Sequence, residues 1–388
     1  MLVLLLQLSS NTVGRQASLF EHSLVVWIRS ALEKTMGLDC LDLYPEAVDG
    51  EAMTLTRSLT SQEAAECALG VGADFHIWGD LHFLPEGGKE LEEVVVELHF
   101  AAVDDPEFRE ARSYRFSGFT QPNDGVSWMD MEALSELVRD ITLETAEIMG
   151  YPQDELDLSL IPEGMTENTL AWECFVTALR FAASDEFKLK YYYKACQEDP
   201  YFAAAYLNAG SLLVAGGDYR SALRLLLKGY HHLKGSREEN DLLNLVAICT
   251  MHLGDVAGAI ELWKRITVDE PERAEVWCNL GSACHSLGEN IEALKFFQAA
   301  VEADNLYPLA RFSLGRLQAE MGQFQAAARE LHLYLKLIPG DPWAYSILGR
   351  CLMELGETEE ARFALHKAVH LDPSGEAGHL ARQDLDLP

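Results

Sequence analysis

Residues 274–307, AEVWCNLGSACHSLGENIEALKFFQAAVEADNLY, decide the fold of this chain because their pattern returns at intervals of 34 residues. The pair Leu280-Gly281 recurs as Leu314-Gly315 and as Leu348-Gly349. In each unit a glycine, an alanine and a large apolar residue follow at constant spacing: Gly288, Ala293 and Phe297; Gly322, Ala327 and Leu331; Gly356, Ala361 and Leu365. The frame also extends backward, so that six units begin at residues 169, 203, 240, 274, 308 and 342, the first of them degenerate.

Each unit has the pattern of two helices joined by a tight turn. The glycine in the middle of the unit, such as Gly288, allows the chain to leave the first helix with a positive φ. Small residues such as Gly281 and Ala293 allow the two helices to approach closely, and large apolar residues such as Phe297 fill the space between them. The repeat therefore predicts an all-α array of about six helix-turn-helix units.

The unit resembles the tetratricopeptide repeat (TPR), and the resemblance covers residues 169–375. It implies a superhelix whose concave inner face binds protein partners. Residues 376–388 follow the last unit, and within them Glu376–Asp384 is expected to form a short polar helix that caps the array.

The first 150 residues have a different pattern, in which strands and helices are predicted in the order β-α-β-α-β-β-β-α. The strands are expected near 2–8, 40–44, 72–85, 92–105 and 110–120, and the helices over 18–36, from Ser61, and over 126–149. This order predicts an α+β domain with helices on one face of a mixed sheet. Ser61 and Ala64 predict a helix start without a capping box. Residues 151–168, which contain two prolines and five acidic residues, are predicted to be a linker.

Three segments of this domain resemble the N-terminal domain of TolB and the TolB-like modules that precede TPR arrays. They are the opening strand LVLLLQLSS (2–10), the stretch GADFHIWGDLHF (72–83) and its hairpin partner VVVELHFAAVDD (94–105). The closing helix completes the resemblance, which implies a protein-contact module.

The charge of the chain limits the partners that it can bind. Its 388 residues include 30 Lys and Arg against 62 Asp and Glu, a formal net charge of -32. Such a field repels nucleic acids and anionic membranes and favours basic partners. The eight cysteines are scattered without a CxxC pair, which is typical of a reducing compartment. The apolar run at residues 2–6 is too short for a signal peptide or a membrane span, so we expect a cytoplasmic protein, or a periplasmic one if a signal precedes this sequence.

Motifs for catalysis and cofactor binding are missing from the sequence. It has no P-loop, HExxH, GxSxG or EF-hand pattern, and no GxGxxG follows a predicted strand. We therefore expect neither an enzyme nor a cofactor. The alternative is a regulator that senses a ligand or a metal in a cleft of the N-terminal domain or on the Cys278/His285 face. Cys278 and His285 lie two helical turns apart, and His252 in the preceding unit is the third candidate metal ligand.

Partner binding is expected in the concave groove of the array, where an extended peptide or a partner helix would lie. The candidates at inner-face positions are Asn244, Phe312, Arg316, Trp343 and Arg350. Phe312 and Trp343 are candidate anchors for an apolar side chain. Arg316 and Arg350 either bind an acidic group or pair with Glu320 and Glu354, four residues on in the same helices. The leading hypothesis is a non-enzymatic adaptor in which the N-terminal domain binds a second protein or packs against the array.

Overall fold

The computed structural model describes residues 2–6, 8–10, 15–43, 60–84, 93–103, 109–117, 129–152, 156, 158, 166, 168–181 and 184–385. The chain divides into two compact units. The first comprises Met1–Gly216 and His231–Glu238, and the second comprises Gly217–Tyr230 and Glu239–Pro388. Among the described residues, no helix has the length and apolar character that a membrane crossing requires.

The first unit contains a mixed sheet, as predicted. Its strands are β1 (Leu2–Leu6), β2 (Ser9–Ser10), β3 (Asp39–Leu43), β4 (Phe75–Leu84), β5 (Glu93–Ala102) and β6 (Arg109–Phe116). The order across the sheet is β3-β1-β4-β5-β6, and the short β2 also pairs with β4. β1 is parallel to β3 and β4, whereas β4, β5 and β6 form an antiparallel meander. The predicted hairpin is β4–β5, and its turn lies outside the described residues.

Helices cover both faces of this sheet, which corrects the prediction of a single covered face. Helices α1 (Arg15–Met36) and α3 (Met131–Ile148) lie on the same side, where Phe20 packs against Phe83 and the hydroxyl of Tyr114 donates to Glu144 at 3.0 Å. Helix α2 (Ser61–Val71) packs on the other side with a cluster that includes Trp78. Phe83 and Trp78 are an odd number of residues apart on β4, so they point to opposite faces.

Helix α2 begins with a capping box, contrary to the prediction. The N-cap is Thr60 rather than Ser61, and its hydroxyl accepts the backbone N–H of Glu63 at 3.3 Å. The Glu63 carboxylate in turn accepts the backbone N–H of Thr60 at 2.8 Å. The T-x-x-E pattern is present at residues 60–63, but the prediction placed the frame one residue too late.

The first repeat is packed against the α+β domain within the first unit. Helix α4 (Thr169–Val176) continues as a π-helical turn over Thr177–Phe181 and is followed by α5 (Asp185–Glu198). The indole of Trp172 is fully buried, donates to the hydroxyl of Ser23 in α1 at 2.8 Å, and meets Trp27 edge-to-face. The first unit accordingly extends beyond the predicted domain boundary at residue 150, and most of the predicted linker lies outside the described residues.

The remaining helices confirm the run of helix-turn-helix repeats. Helix α6 (Ala203–Ala215) belongs to the first unit, and α7 (Tyr219–Leu233) is divided between the two units. The helices of the second unit are α8 (Glu239–His252), α9 (Val256–Asp269), α10 (Ala274–Ser286), α11 (Asn290–Ala303), α12 (Pro308–Glu320), α13 (Phe324–Leu337), α14 (Pro342–Glu354) and α15 (Thr358–Leu371). The turn glycine between the two helices of each complete repeat has a φ between 74° and 99°. Helix α16 (Glu376–Asp384) has the bounds predicted for the capping helix and packs against α14 and α15.

Candidate functional site

The first helices of the repeats line one surface of the second unit. Besides the contacts between consecutive helices, α8 contacts α10, α10 contacts α12, and α12 contacts α14. These contacts between alternate helices place successive first helices side by side, which is the arrangement that forms the inner face of a helical repeat array. The predicted groove residues lie on these helices.

A cavity of about 630 Å³ opens on this surface between α12 and α14. Its lining brings together four of the five residues predicted to bind a partner, namely Phe312, Arg316, Trp343 and Arg350. The other lining residues are Ala319, Glu320, Phe324, Ile347, Cys351 and Glu354. Phe324 and Ile347 were not predicted, because they lie at repeat positions that the inner-face pattern does not include.

The aromatic wall of the cavity is held in place by hydrogen bonds at the start of α14. Asp341 accepts the backbone N–H groups of Trp343 and Ala344 at 2.8 and 3.3 Å, and so caps this helix. Asp341 also accepts the hydroxyl of Tyr334 at 2.7 Å, and the Tyr334 ring packs against Phe312 at 5.2 Å. Burial and this hydrogen bond raise the pKa of Tyr334. The backbone of Trp343 is thus held by a hydrogen bond, while the residue is 39% exposed to solvent.

The two arginines of the cavity have different ion-pair partners. Arg316 pairs with Glu320 at 3.0 Å, as the i,i+4 spacing suggests. The second carboxylate oxygen of Glu320 lies 3.3 Å from Nε2 of His285. For Arg350 the pairing with Glu354 was one of two alternatives, and in the structure its Nε lies 3.5 Å from Asp384 in α16 instead. The capping helix therefore contributes a carboxylate to the edge of this site, which the repeat frame alone does not predict.

Cys278, a candidate metal ligand, is a packing residue in the structure rather than a groove residue. Its side chain is only 2% exposed and belongs to the apolar core between repeats. Burial, with a smaller contribution from Glu275, raises the pKa of its thiol to about 12, so the thiolate that binds metals is strongly disfavoured. The neighbouring Cys284 is also buried, as predicted.

The two histidine candidates make contacts of different kinds. Nδ1 of His285 lies 3.1 Å from the amide oxygen of Asn290, and its Nε2 faces Glu320. The ring of His252 stacks on Tyr219, with the ring centres 4.2 Å apart. Among the residues that the structure describes, no group of three or more His, Cys, Asp or Glu side chains is arranged to hold a metal ion.

Asn244 is also placed differently from the prediction, because it is only 4% exposed. Its amide oxygen accepts the indole N–H of Trp263 at 2.8 Å and the amide of Asn279 at 3.1 Å, and its amide nitrogen donates to Glu275 at 2.9 Å. These bonds join α8, α9 and α10 from within. A tryptophan at the position where other repeats have Phe297 or Leu331 needs a hydrogen-bond acceptor when buried, and this was the sequence signal for the internal role of Asn244.

Two segments of the array match known family models. Residues 251–308 and 320–385 match family models described as tetratricopeptide repeat. The chain is 27% identical over 112 residues to the Protein CTR9 homolog of Arabidopsis thaliana and 29% identical over 114 residues to the BBSome complex member BBS4 homolog of Drosophila melanogaster. The matched segments are 28% and 29% of this chain but only 10% and 24% of those proteins.

Two solved structures are similar to part of this chain. The crystal structure of MamA protein has a TM-score of 0.38 at 24% identity, over 48% of this chain and 96% of that one. The crystal structure of YrrB, described as a TPR protein with an unusual peptide-binding site, has a TM-score of 0.40 at 21% identity, over 50% of this chain and 98% of that one.

Proposed function

We propose that this protein is a non-catalytic adaptor that binds a peptide or a helix of a partner protein in the cavity between α12 and α14. The observation that carries the proposal is the convergence of Phe312, Trp343, Arg316 and Arg350 on one cavity of the repeat array. An aromatic side chain that is half-exposed beside guanidinium groups is the kind of anchor that dominates protein interfaces.

The chemistry of the cavity suits a short segment of protein. Phe312, Phe324 and Ile347 provide an apolar site for one or two side chains of the partner. Arg316 and Arg350 carry donors that can reach carbonyl oxygens or a carboxylate of the partner. Each arginine already has a carboxylate partner in the chain, so a ligand must exchange with Glu320 or Asp384 rather than meet a bare charge.

The α+β domain, in this proposal, makes a second protein contact. Its resemblance to TolB-like modules supports this role, and its packing against the first repeat supports the alternative that it also anchors the array. Seven of the eight cysteines are buried and the sequence has no CxxC pair, which supports a reducing, cytoplasmic setting.

The groove is tested by selecting peptides from a displayed random library on the wild-type protein and measuring their affinity by calorimetry. We expect the selected peptides to bind the Trp343→Ala variant at least tenfold more weakly, and the Arg350→Glu variant also more weakly. Trp277→Ala is the matched control, because Trp277 lies on α10 outside the cavity and donates to the Pro271 carbonyl. Selected peptides that bind Trp343→Ala and Arg350→Glu with wild-type affinity would contradict the proposal.

A further inference from the structure

Helix α7 (Tyr219–Leu233) has an unusual charge for this chain. It contains three basic residues, Arg220, Arg224 and Lys228, and no Asp or Glu, whereas acidic residues outnumber basic ones 62 to 30 overall. The three are four residues apart, so they lie on one face of the helix at intervals of about 6 Å. All three side chains are exposed. We call Arg220, Arg224 and Lys228 the basic stripe.

The repeat scaffold does not require the basic stripe. The equivalent positions in the second helices of the later repeats hold other residue types: Ala257, Glu261 and Arg265; Ile291, Lys295 and Ala299; Gln325, Arg329 and Leu333; Glu359, Phe363 and Lys367. The first repeat has Glu186, Lys190 and Lys194 at these positions. The stripe of three cations therefore occurs in one repeat, and packing of the array does not explain it.

Several cations of the other helices have a carboxylate partner in the same helix, whereas others, such as Arg329 and Lys367, have none at ion-pair distance among the described residues. Lys264 pairs with Glu261 at 3.4 Å and Lys295 with Glu292 at 2.7 Å. Within the part of the chain that the structure describes, the basic stripe has no carboxylate at ion-pair distance. The carboxylate of Asp218, at the start of α7, accepts the backbone N–H of Ser221, and Arg224 donates to the hydroxyl of Ser221 at 3.2 Å.

Arg220 also occupies a position where a cation lowers the stability of its helix. It occupies the first turn of α7, where the partial positive charge of the helix terminus disfavours a cation and favours a carboxylate. Leu227 lies on the same face, one turn beyond Arg224, and is 46% exposed. A surface that combines three exposed cations in a helix without Asp or Glu with an exposed leucine, at some cost to the helix, is typical of a binding surface rather than a solvated face.

We infer that the basic stripe of α7 binds an acidic segment of a partner protein, a helix with carboxylates at i, i+4 and i+8 and an apolar side chain beside them. The charge favours a short acidic segment over a nucleic acid or an anionic membrane. A long polyanion would meet the field of a chain with a net charge of -32, whereas a single helix interacts mainly within a Debye length of about 8–10 Å of the stripe. This surface is separate from the cavity between α12 and α14.

The experiment measures the anisotropy of a fluorescent helical peptide that carries Glu at i, i+4 and i+8 and one Leu. The peptide is titrated with the full chain in about 0.1 M salt, where the Debye length is about 10 Å, and then at higher salt. We expect saturable binding that weakens as salt is raised and falls at least fivefold in Arg224→Glu and in Arg220→Glu. The melting temperature of Arg220→Glu should equal or exceed that of the wild type, since a carboxylate suits the first turn of the helix. Loss of binding in this variant then cannot be attributed to unfolding.

Matched controls separate this surface from other causes. Arg329→Glu reverses a charge at the equivalent position of another repeat and should leave binding unchanged, and so should Trp343→Ala in the groove. Equal binding by wild type, Arg220→Glu and Arg224→Glu would overturn the inference. Tighter binding of phosphatidylserine vesicles or single-stranded DNA than of the acidic peptide would overturn it as well. Because the groove variant and the stripe variants are measured separately, failure of one proposal leaves the other intact.

Discussion

At the scale of single residues, the repeat depends on a few glycines at positions where even the methyl group of alanine would not fit. A Cβ added to Gly281 would lie 2.6 Å from Cε1 of Phe297, and one added to Gly349 would lie 2.6 Å from Cγ of Leu365. These glycines allow the two helices of a repeat to approach until the large apolar side chain of the second helix touches the backbone of the first. The constant spacing between Gly and Phe or Leu in the sequence reflects this contact.

Gly281→Ala should therefore destabilise the protein by about 1–3 kcal/mol, because Phe297 is fully buried and must shift to admit the methyl group. Urea denaturation measures the free energy of unfolding. Gly70→Ala is the matched control: Gly70 is also in a helix, but an added Cβ there meets nothing within 4 Å. That change should be neutral or stabilise by about 0.5–1 kcal/mol. Equal effects of the two substitutions would show that the close approach at Gly281 does not matter.

The sequence predicted the positions of residues that recur at a constant spacing in the repeats. It did not predict the positions of residues whose burial depends on a particular side chain of the adjacent repeat. The frame placed Gly281, Phe297 and Trp343 correctly. It misplaced Asn244 and Cys278, because it ranks positions by the face of their own helix. Both are buried by an adjacent repeat, and that burial depends on which side chain the neighbour contributes.

At the scale of elements, the first repeat and the α+β domain share one core. Trp172 in α4 is hydrogen-bonded to Ser23 and lies edge-to-face with Trp27, both of which are in α1. The bond is between side chains that are 149 residues apart in the chain. The periodicity of the repeat carries no information about such a distant contact. The sequence therefore predicted a domain boundary at residue 150, whereas in the structure the first repeat packs against α1.

Trp172→Ala should lower the free energy of unfolding by about 3–5 kcal/mol and should loosen α1 as well as α4, since both helices lose the same packing partner. Amide hydrogen exchange of α1 measures this coupling. Trp263→Ala provides the comparison, because Trp263 is equally buried but belongs to the second unit, and its loss should leave exchange in α1 nearly unchanged. Unchanged exchange of α1 in Trp172→Ala would mean that the two elements are not coupled.

At the scale of the whole molecule, burial of thiols links stability to alkaline pH. The pKa of Cys278 is raised to about 12, and the pKa values of Cys249 and Cys351 are raised to about 11, in each case mainly by burial. A raised pKa in the folded state means that the thiols stabilise the fold at pH values below about 9, where the unfolded chain also keeps its thiol protons. This stabilisation is lost as the pH rises from about 9 toward the folded-state values.

The free energy of unfolding should thus fall between pH 9 and pH 11, by up to about 1.4 kcal/mol per pH unit for each such thiol. Denaturant titrations at several pH values, under reducing conditions, measure this slope. Cys278→Ala removes one titrating group, so its slope above pH 9 should be shallower than that of the wild type. Identical slopes would indicate that Cys278 does not retain its proton in the folded state.

The global architecture was the easiest feature to predict, since six repeats amplify one weak local pattern. The sheet of the first unit was harder. Its strands were predicted along the chain from the pattern of alternation. Their order across the sheet and the face that each helix covers depend on connections that alternation does not encode, and α2 lies on the face that the prediction left uncovered.

The contacts of the array in the second unit run within a repeat or between adjacent repeats. An array with contacts only between neighbours can bend at each junction between repeats. A small change of angle at each junction costs little by itself, and the changes add up from α8 to α16. Its stiffness is set by the junctions, and the hydrogen bonds around Asn244 make one of them more rigid than an apolar contact would. The curvature of the inner face therefore changes with the angles at these junctions.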